Sequence, residues 1–484
     1  MAPGLADKLP ALLRDVAAAV SGDVYLVGGA VRDVLLGRRV SDWDLACTAA
    51  EELAQAVAAA TGTRPITLRS APLVLRVPAA ELGHVDVIEL PTGDVTHDLL
   101  RRDFTVNALA LDLASGAIVD PVGGLADLEA GVLRGVSESV FAHDPTRILR
   151  AYRLCAELGF GIHDAARQAI RRDRSLLAHA PPQRWGREML LLCAVEGPVA
   201  QVLSAMDEDG VMDQVLPAWS DMRGVTQGPY HHLDVLGHTL AALGAADVLI
   251  ASPEEAFALS AGGLRVALRS DELRAAVRAG VLLHDVGKPS VRTVGEDGRI
   301  WFRGHEGVGA EIAEHETKRW GWPKAVREVV VRVVRLHMRL LDLARDAVLR
   351  DQRPTDAALR RLLRDAEAAV PALYVAGAAD LLAARGPVTD QDLQGRILTQ
   401  LDTMLARSFQ ISSSGQRSRL VSGHDLMRHL GIPPGKLVGA LLEAIEAARE
   451  EGRVTTAEEA IALARAILAG GASGGASEDT GETG

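Results

Sequence analysis

Residues 24–45 constrain the fold of this chain more than any other stretch. A short apolar run ends in Gly28 and Gly29, and an amphipathic segment leads on to Asp42 and Asp44, which alternate with a tryptophan. Glycine lets the backbone approach a ligand closely, and a helix that begins there points its amide groups at an anion. Residues two apart on a strand share one face. The order predicts a strand, a glycine turn, a helix and an acidic strand.

The chemistry of this stretch points to a phosphate chain and a cation. Asp42 and Asp44 would repel each other unless a cation lay between them, and Mg²⁺ prefers oxygen ligands. One or two such ions can activate an attacking hydroxyl and stabilise a leaving pyrophosphate. Arg32 can add a bidentate phosphate contact. Each element alone is common in turns and loops, but their order and spacing together predict a magnesium-dependent site.

The length of 484 residues exceeds what one compact core normally holds. Strand signals concentrate in residues 24–120, whereas apolar residues recur at helical spacing from about 140 onward. We therefore predict an α+β protein, with a small sheet in the head and a mostly α-helical remainder. The predicted parts are a head (1–140), a helical neck (141–200), a body (201–395), a helical C-terminal region (396–469) and a disordered tail (470–484).

Cysteine usage and hydropathy suggest a compartment. Cys47, Cys155 and Cys193 form no CxxC pair, which favours a reducing environment. The N-terminus has charges within its apolar run and does not read as a signal peptide, and no apolar stretch approaches the length of a membrane span. We expect a soluble, cytoplasmic protein without a membrane partner.

The charge of the chain gives conflicting evidence about whether it binds a nucleic acid. The formal net charge of −12 argues mildly against a polyanionic partner. Residues 147–187, however, contain nine arginines and only three acidic residues. This local excess predicts an RNA-facing patch, with a solvated helical face as the alternative.

Six ordered motifs support a family resemblance. LVGGAVRDVLLG with SDWDLA resembles the signature of class II tRNA nucleotidyltransferases and bacterial poly(A) polymerases. RRDFTVNA, DPVGG and DPTRILRAYR agree with the segments that follow in that family, and Arg184 and Glu188 match a neck motif. GHDLM with LGIPPG resembles the C-terminal region. The resemblance spans nearly the whole chain.

The resemblance implies in-line attack of a tRNA 3′-hydroxyl on the α-phosphate of CTP, and of ATP where the complete CCA is added. Asp42 and Asp44 would be catalytic and hold Mg²⁺. Asp144 and Arg147 would read the incoming base, with acceptors and donors one helical turn apart on one face; a surface salt bridge is the alternative. The implied nucleotide-binding residues are Gly28, Gly29, Arg32, Asp33, Arg101, Arg102, Asp103, Asn107, Asp144, Arg147, Arg150 and Arg153.

Three departures from the family pattern bear on specificity. His143 stands where relatives usually have an acidic residue, and Pro91 stands where many have arginine. Either Asp86 or Glu89 would be a third acidic group near the metals. The segment 91–100 is short. Enzymes of this family that add all of CCA usually carry a longer flexible loop at this position, whereas enzymes that add only CC typically lack it. We therefore predict CC addition, with complete CCA addition left open.

A second set of residues resembles the HD phosphohydrolase superfamily. His284 and Asp285 follow an apolar run, with a histidine pair and His238 upstream and Asp380 downstream. Neutral imidazoles with carboxylates suit a divalent transition metal. The resemblance implies His238, His284, Asp285 and Asp380 as metal ligands, with His305 and His337 binding phosphate or a second metal. The domain would either hydrolyse phosphoesters or persist as a tRNA-docking surface.

Two other functions compete with tRNA-end addition. A poly(A) polymerase shares most of these motifs. An HD phosphohydrolase with an RNA-binding head belongs to another class, but Arg32, Asp42 and Asp44 argue against an inactive head.

Overall fold

The computed structural model describes residues 8–40, 42–414, 420–450 and 452–472. Its head contains seven strands: β1 Val24–Val27, β2 Asp42–Cys47, β3 Ile66–Ser70, β4 Leu73–Ala79, β5 Gly83–Glu89, β6 Ala110–Asp112 and β7 Ile118–Val119. They form one sheet in the order β3-β4-β5-β2-β1-β6-β7. β2 and β5 are parallel and the other neighbouring pairs antiparallel. The acidic strand therefore lies at the centre of the sheet.

The two faces of the sheet have different surroundings. One face packs against helices α1 (Ala11–Ala18), α2 (Gly29–Leu35) and α3 (Ala50–Thr61). Trp43 and Leu45 of β2 point into this core, so the period-two alternation leaves Asp42 and Asp44 on the opposite face. The fold thus exposes the carboxylates by burying their neighbours.

The segment after the head sheet leads into the neck through short elements. The elements are α4 Val95–Leu99, α5 Gly124–Ala130, β8 Val132–Leu133, α6 Val140–His143, α7 Thr146–Leu158, β9 Gly161–Ile162, α8 Asp164–Asp173 and α9 Pro182–Ala194. Strands β8 and β9 pair in parallel.

The body is helical except for one small hairpin. Buried apolar side chains of the neck and body belong to one continuous core, which reaches from Phe104 to Leu405. The elements are α10 Ala200–Glu208, α11 Met212–Val215, α12 Val235–Ala251, α13 Ala261–Ala267, α14 Asp271–Leu283, α15 Lys288–Val291, β10 Thr293–Val294, β11 Ile300–Trp301, α16 His305–Arg319, α17 Lys324–Leu349, α18 Asp356–Ala366, α19 Val370–Ala383 and α20 Gln391–Ser414.

The C-terminal helices have a separate small core. α21 (Gly423–Leu430), α22 (Lys436–Glu450) and α23 (Ala457–Ala472) pack around Leu426, Leu441 and Ile445. Ser422 and Asp425 form a capping box at the start of α21. The predicted disordered tail lies outside the described residues from 473 onward.

Strand positions in the head agree with the sequence pattern in part. The apolar runs at 24–27, 73–77 and 85–90 lie in β1, β4 and β5. β3, β6 and the β10–β11 hairpin have too few apolar residues in alternation to be recognised. β3 is exposed throughout, and the hairpin strands have two residues each.

One apolar helical stretch is longer than the sequence analysis allowed. Residues Asp356–Ala383 are long and apolar enough to cross a membrane by length and composition alone. This stretch consists of α18 and α19 separated by a 3₁₀ turn, and 61% of its most apolar window is buried inside the protein. α19 packs against α12, α14 and α17, so it is a core helix of the body.

Candidate functional site

The head and neck enclose a cleft of about 870 Å³ that we call the carboxylate cleft. Its head side carries Arg32 and the acidic strand, and its neck side consists of residues from α7 and α9. It is lined by Gly29, Ala30, Arg32, Asp33, Asp42, Asp44, Arg76, His84, Asp86, Asp103, Asn107, Thr146, Arg150, Arg153, Leu154, Glu157, Gln183, Arg184, Arg187, Glu188 and Leu191.

A row of charged residues crosses three adjacent strands of the head sheet. Asp44 on β2 lies opposite Asp86 on β5, and Asp86 lies opposite Arg76 on β4. Arg76 donates to both Asp86 oxygens, at 2.8 and 2.7 Å. Glu89 instead accepts a hydrogen bond from the Leu73 amide. The structure therefore brings Asp86, rather than Glu89, beside the paired carboxylates.

Burial and neighbouring acids together disfavour the charged form of Asp44. Burial raises the pKa of Asp44 to about 6; nearby Arg102 opposes the shift, whereas Asp86 and Asp42 add to it. Asp42 is more exposed, and its Oδ1 lies 3.0 Å from His84 Nε2. A cation bound between the carboxylates would favour their charged forms. These oxygens fit a hard divalent ion.

Position 28 requires a glycine for two reasons: its backbone conformation and the close approach of a neighbouring guanidinium. The φ of Gly28 is +76°, and a Cβ added there would lie 2.2 Å from Arg102 Nη1. Arg102 is fixed in that position by hydrogen bonds to Asp98. Gly29 begins α2 at an ordinary φ, and a Cβ there would make only a tight contact with Arg32. The strict requirement for glycine therefore falls on the first of the pair.

Arg32 lies buried at the head side of the cleft. It donates to both carboxylate oxygens of Asp33 and, at 2.5 Å, to Asn107. Asn107 in turn donates to Asp103. Asp33 thus orients Arg32, and the remaining guanidinium hydrogens stay available for a ligand.

Asp103 joins this head network to the neck. It accepts hydrogen bonds from the Phe104 amide, from Asn107 and from Arg150. Burial alone would raise its pKa, but Arg150 and these hydrogen bonds hold the pKa of Asp103 below its ordinary value. Glu188, buried on α9, accepts from both Arg150 and Arg153. The neck arginines are therefore fixed by acids from two domains.

Asp144 and Arg147 do not share a helical face. Pro145 forces the residue before it into an extended conformation, so Asp144 precedes α7 rather than lying on it. Asp144 accepts from Thr146 and pairs with Arg184 at 2.9 Å. Burial would raise the pKa of Asp144, but the Thr146 hydrogen bonds and Arg184 lower it. Asp144 is thus held against Thr146 and Arg184, two residues that line the neck side of the cleft.

Arg147 forms its hydrogen bonds with the head rather than with Asp144. Its guanidinium donates to the backbone carbonyls of Arg101 and Arg102, and no ion pair joins it to Asp144. Together with Arg101 and Arg102 it lines a second recess of about 390 Å³. The predicted common helical face of Asp144 and Arg147 is therefore wrong, and the alternative salt bridge between them is not formed.

Most of the predicted arginine patch is neutralised. Of the nine arginines between 147 and 187, six lie within ion-pair distance of a carboxylate, with Glu188 and Asp209 each serving two of them. The paired arginines are Arg150, Arg153, Arg167, Arg171, Arg172 and Arg184. The net positive charge that an RNA would meet is therefore smaller than the sequence count.

The body contains a second cluster, the histidine centre, made of His238, His284, Asp285, Asp380, His305 and His337. His238 Nε2 lies 2.9 Å from Asp380 Oδ1, and His284 Nε2 lies 3.2 Å from Asp285 Oδ2. His238, His284 and Asp285 lie close enough together to hold a metal ion, and so do Asp285, His305 and His337. Asp285 belongs to both candidate groups.

Three of these histidines are oriented by the backbone. The Nδ1 atoms of His284, His305 and His337 lie 2.7–2.8 Å from backbone carbonyl oxygens three residues earlier. That contact fixes the tautomer with a proton on Nδ1 and leaves Nε2 as the ligand atom. Nε2 of His284 is buried without a well-formed hydrogen bond. An unsatisfied buried imidazole nitrogen beside two carboxylates fits a divalent metal.

The buried charges of the centre balance one another. Burial lowers the pKa of a histidine, but Asp285 and Asp380 raise the pKa of His284 to about 10. Burial and the neighbouring His284 lower the pKa of His337 to about 4. The pKa values of both aspartates lie well below the ordinary range: the histidines outweigh burial at Asp380, and His284 together with Lys288 does so at Asp285. Metal binding would therefore displace a proton from His284.

Sequence reasoning missed residues around this centre. His231 packs edge-on against His238, 4.6 Å between ring centroids, whereas its neighbour His232 is exposed. Two adjacent histidines give no signal about which one faces inward. The β10–β11 hairpin contributes Trp301 to an adjoining cavity of about 880 Å³, which also reaches Asp285 and Asp380.

Three family models match parts of the chain. The poly(A) polymerase head domain matches residues 24–134, the HD domain residues 255–402, and tRNA nucleotidyltransferase domain 2 residues 354–464. Among solved structures, the apo form I of a CCA-adding enzyme is 19% identical, with a TM-score of 0.61 over 97% of this chain and 96% of that chain. At that identity the likeness establishes the fold.

Two relatives match this chain over nearly their whole length. The A-adding tRNA nucleotidyltransferase of Deinococcus radiodurans is 34% identical over 445 residues, covering 90% of this chain and 94% of the relative. The CC-adding tRNA nucleotidyltransferase of Thermus thermophilus is 34% identical over 447 residues, covering 91% and 93%. The chain therefore belongs to the tRNA nucleotidyltransferase family.

Proposed function

We propose that this enzyme adds CMP to the tRNA 3′ end without a nucleic-acid template, using CTP and Mg²⁺ in the carboxylate cleft. Asp42 and Asp44 hold the metal, and Asp86 is a further acidic group beside them. The observation that carries this proposal is the central acidic row, in which Asp44 faces Asp86 without a fixed cation of its own. Oxygen ligands on one sheet face suit Mg²⁺.

The remaining predicted residues serve the nucleotide in this proposal. Gly28 and Gly29 allow the triphosphate to approach, and Arg32 contacts it, oriented by Asp33. Asp103 and Asn107 orient the ribose. Asp144 reads the base. Arg147 lies with Arg101 and Arg102 in the second recess. Arg150 and Arg153 line the cleft. The bound metals supply charge stabilisation for the leaving pyrophosphate.

The length of one link favours addition of cytidines. Only residues 90–94 separate β5 from α4, and this link is folded back by hydrogen bonds from Leu90 to Cys47 and from Gly93 to Leu90. Such a link has no room for the flexible loop that the family resemblance associates with switching from C to A. We therefore propose CC addition, with another enzyme adding the terminal A.

A-addition is the second candidate. It is favoured by the Deinococcus radiodurans relative, whose identity to this chain equals that of the CC-adding relative. Overall identity thus does not separate the two specificities.

Primer extension separates the candidates. Labelled tRNAs that end at the discriminator base, at C or at CC are incubated with CTP, ATP or both. Extension that stops at CC in the presence of ATP supports the proposal. Addition of a single A to tRNA ending in CC, without use of CTP, establishes A-addition; completed CCA or long A tails would assign the chain to a CCA-adding or poly(A) activity. An Asp42→Ala protein that still incorporated nucleotides would contradict the proposed catalytic residues.

For the histidine centre we propose a divalent transition metal on His238, His284, Asp285 and Asp380, with His305 and His337 holding phosphate or a second ion. The unsatisfied Nε2 of His284 supports this. Elemental analysis of the purified protein and of His284→Ala tests it. Metal present in the parent and lost in the variant supports the site, and no transition metal in either protein contradicts it. Location in the cytoplasm stays a prediction.

A further inference from the structure

Helix α9 forms the neck side of the carboxylate cleft, and its back is firmly held. A Cβ at Gly186 would lie 2.2 Å from the Trp320 carbonyl oxygen, and Trp322 Nε1 donates to the Gly186 carbonyl at 2.9 Å. At the other end, Arg278 donates to the carbonyls of Cys193 and Val195. The body thus fixes which face of α9 looks into the cleft.

Three residues of that face follow a single helical stripe. Gln183, Arg187 and Leu191 are four residues apart, so they lie one above another on α9. All three are exposed and line the cleft, and Leu191 retains 40% of its accessible surface. An exposed leucine beside an arginine inside a polar cleft is a surface that no other part of the described chain covers.

Arg187 differs from the other arginines that line the cleft. Each of the other five forms an ion pair with a carboxylate: Arg32 with Asp33, Arg76 with Asp86, Arg150 with Asp103, Arg153 with Glu188, and Arg184 with Asp144. Within the described part of the chain, Arg187 has no carboxylate within 4.0 Å. Its charge is therefore available to an anion in the cleft.

The reaction needs two phosphate-bearing substrates at Asp42 and Asp44. The groups that suit a triphosphate, Gly29 and Arg32, lie on the head side of the cleft. Its volume of about 870 Å³ is at the upper end of what single small ligands fill, so it has room beyond one nucleotide. The neck side is left for the other substrate.

We propose that Gln183, Arg187 and Leu191 form the subsite for the 3′-terminal nucleotide of the RNA primer. Arg187 contacts the phosphodiester, and Leu191 packs against the ribose or base. This inference rests on the proposed nucleotidyl transfer in the same cleft. Arg187 acts as a positioning residue, because it holds the primer rather than the reacting atoms.

Steady-state kinetics of the full chain test the subsite. In Arg187→Ala the KM for tRNA should rise about tenfold, the size of one charge-assisted contact, while the KM for CTP stays within about twofold. The dependence of log KM for tRNA on log salt should lose about one unit of slope. Arg187→Lys keeps the charge, so its KM for tRNA should lie between those of the parent protein and Arg187→Ala.

A matched control separates this effect from general loss of charge. Arg335 is an exposed arginine on α17 that does not line the cleft and has no carboxylate within 4.0 Å in the described part of the chain. Arg335→Ala should leave both KM values and the salt slope unchanged. A rise in KM for CTP alone, or no change in Arg187→Ala, would overturn the subsite even if transfer itself is confirmed; incorporation by Asp42→Ala would instead overturn the proposed transfer site.

Discussion

The carboxylate cleft and the histidine centre both gather acidic residues, but they differ in how the charge is balanced. In the cleft, Asp44 and Asp86 lie opposite each other on parallel strands, and the pKa of Asp44 rises to about 6. In the histidine centre, imidazoles surround Asp285 and Asp380 and lower the pKa of both carboxyls. The cleft is open to solvent, whereas the centre is buried.

This difference agrees with the two kinds of metal site that we propose. In the open cleft, Asp44 has no ion-pair partner among the described residues, and such oxygens suit an ion that arrives with its phosphate substrate and leaves with the product. A buried set of nitrogens and oxygens suits a resident transition metal, because backbone carbonyls orient three of the four imidazoles. The two sites should therefore respond independently to mutation.

The largest expected effect is the loss of transfer in Asp44→Asn. Removing one charge leaves the row without its central metal ligand, so nucleotide incorporation should fall by about 10³-fold or more. Radiolabelled CMP incorporation measures it. The transition-metal content should stay the same as in the parent protein; a parallel loss of that metal would contradict the independence of the two sites.

A glycine pair provides the next comparison. Gly28→Ala combines strain at a positive φ with overlap against Arg102. The strain alone is about 1–3 kcal/mol, and we expect the rate of incorporation to fall about a hundredfold. Gly29→Ala meets only the flexible end of Arg32 and should lose no more than about threefold. Equal losses in the two variants would contradict the assignment of strain to Gly28.

The pKa of Asp44 predicts how transfer depends on pH. Because the pKa is raised to about 6, a proton competes with the metal below that pH, and the competition disappears above it. The half-saturating Mg²⁺ concentration should rise about tenfold per pH unit below about 6 and be flat above it. Asp86→Asn removes a neighbouring negative charge and should move the break to lower pH. A flat profile down to pH 5 would contradict the shift.

The smallest effect on transfer is expected from His284→Ala. The variant removes one ligand of the histidine centre, so transition-metal content should drop severalfold, while CMP incorporation changes by less than about threefold. Elemental analysis and incorporation are measured on the same preparation. A large loss of incorporation in a folded variant would show that the two sites are coupled through the shared core of the neck and body.

Much of the fold and both site locations followed from the sequence. The period-two alternation of Asp42 and Asp44 with apolar residues predicts their common face, and α2 begins at Gly29 as the glycine turn predicts. These are local consequences of backbone geometry. Elements with few residues or without alternation, such as β3 and the β10–β11 hairpin, gave no comparable pattern.

The relation between Asp144 and Arg147 shows where sequence spacing is insufficient. An i,i+3 spacing implies a common face only if both residues lie on the helix, and Pro145 excludes Asp144 from it. Arg184, which comes forty residues later, then supplies the partner that Asp144 lacked. The spacing along the sequence therefore identified the two residues but did not predict how their side chains are oriented.

The sequence by itself determined the family, the acidic strand and the order of the histidine motif, because each depends on neighbours along the chain. The tertiary structure decided which charges remain available. Asp103, Glu188 and Asp209 come from three segments and neutralise arginines that the sequence counts as free, whereas Arg187 has no described carboxylate within 4.0 Å. Ion pairing depends on distances of a few ångströms between remote segments, and only folding sets those distances.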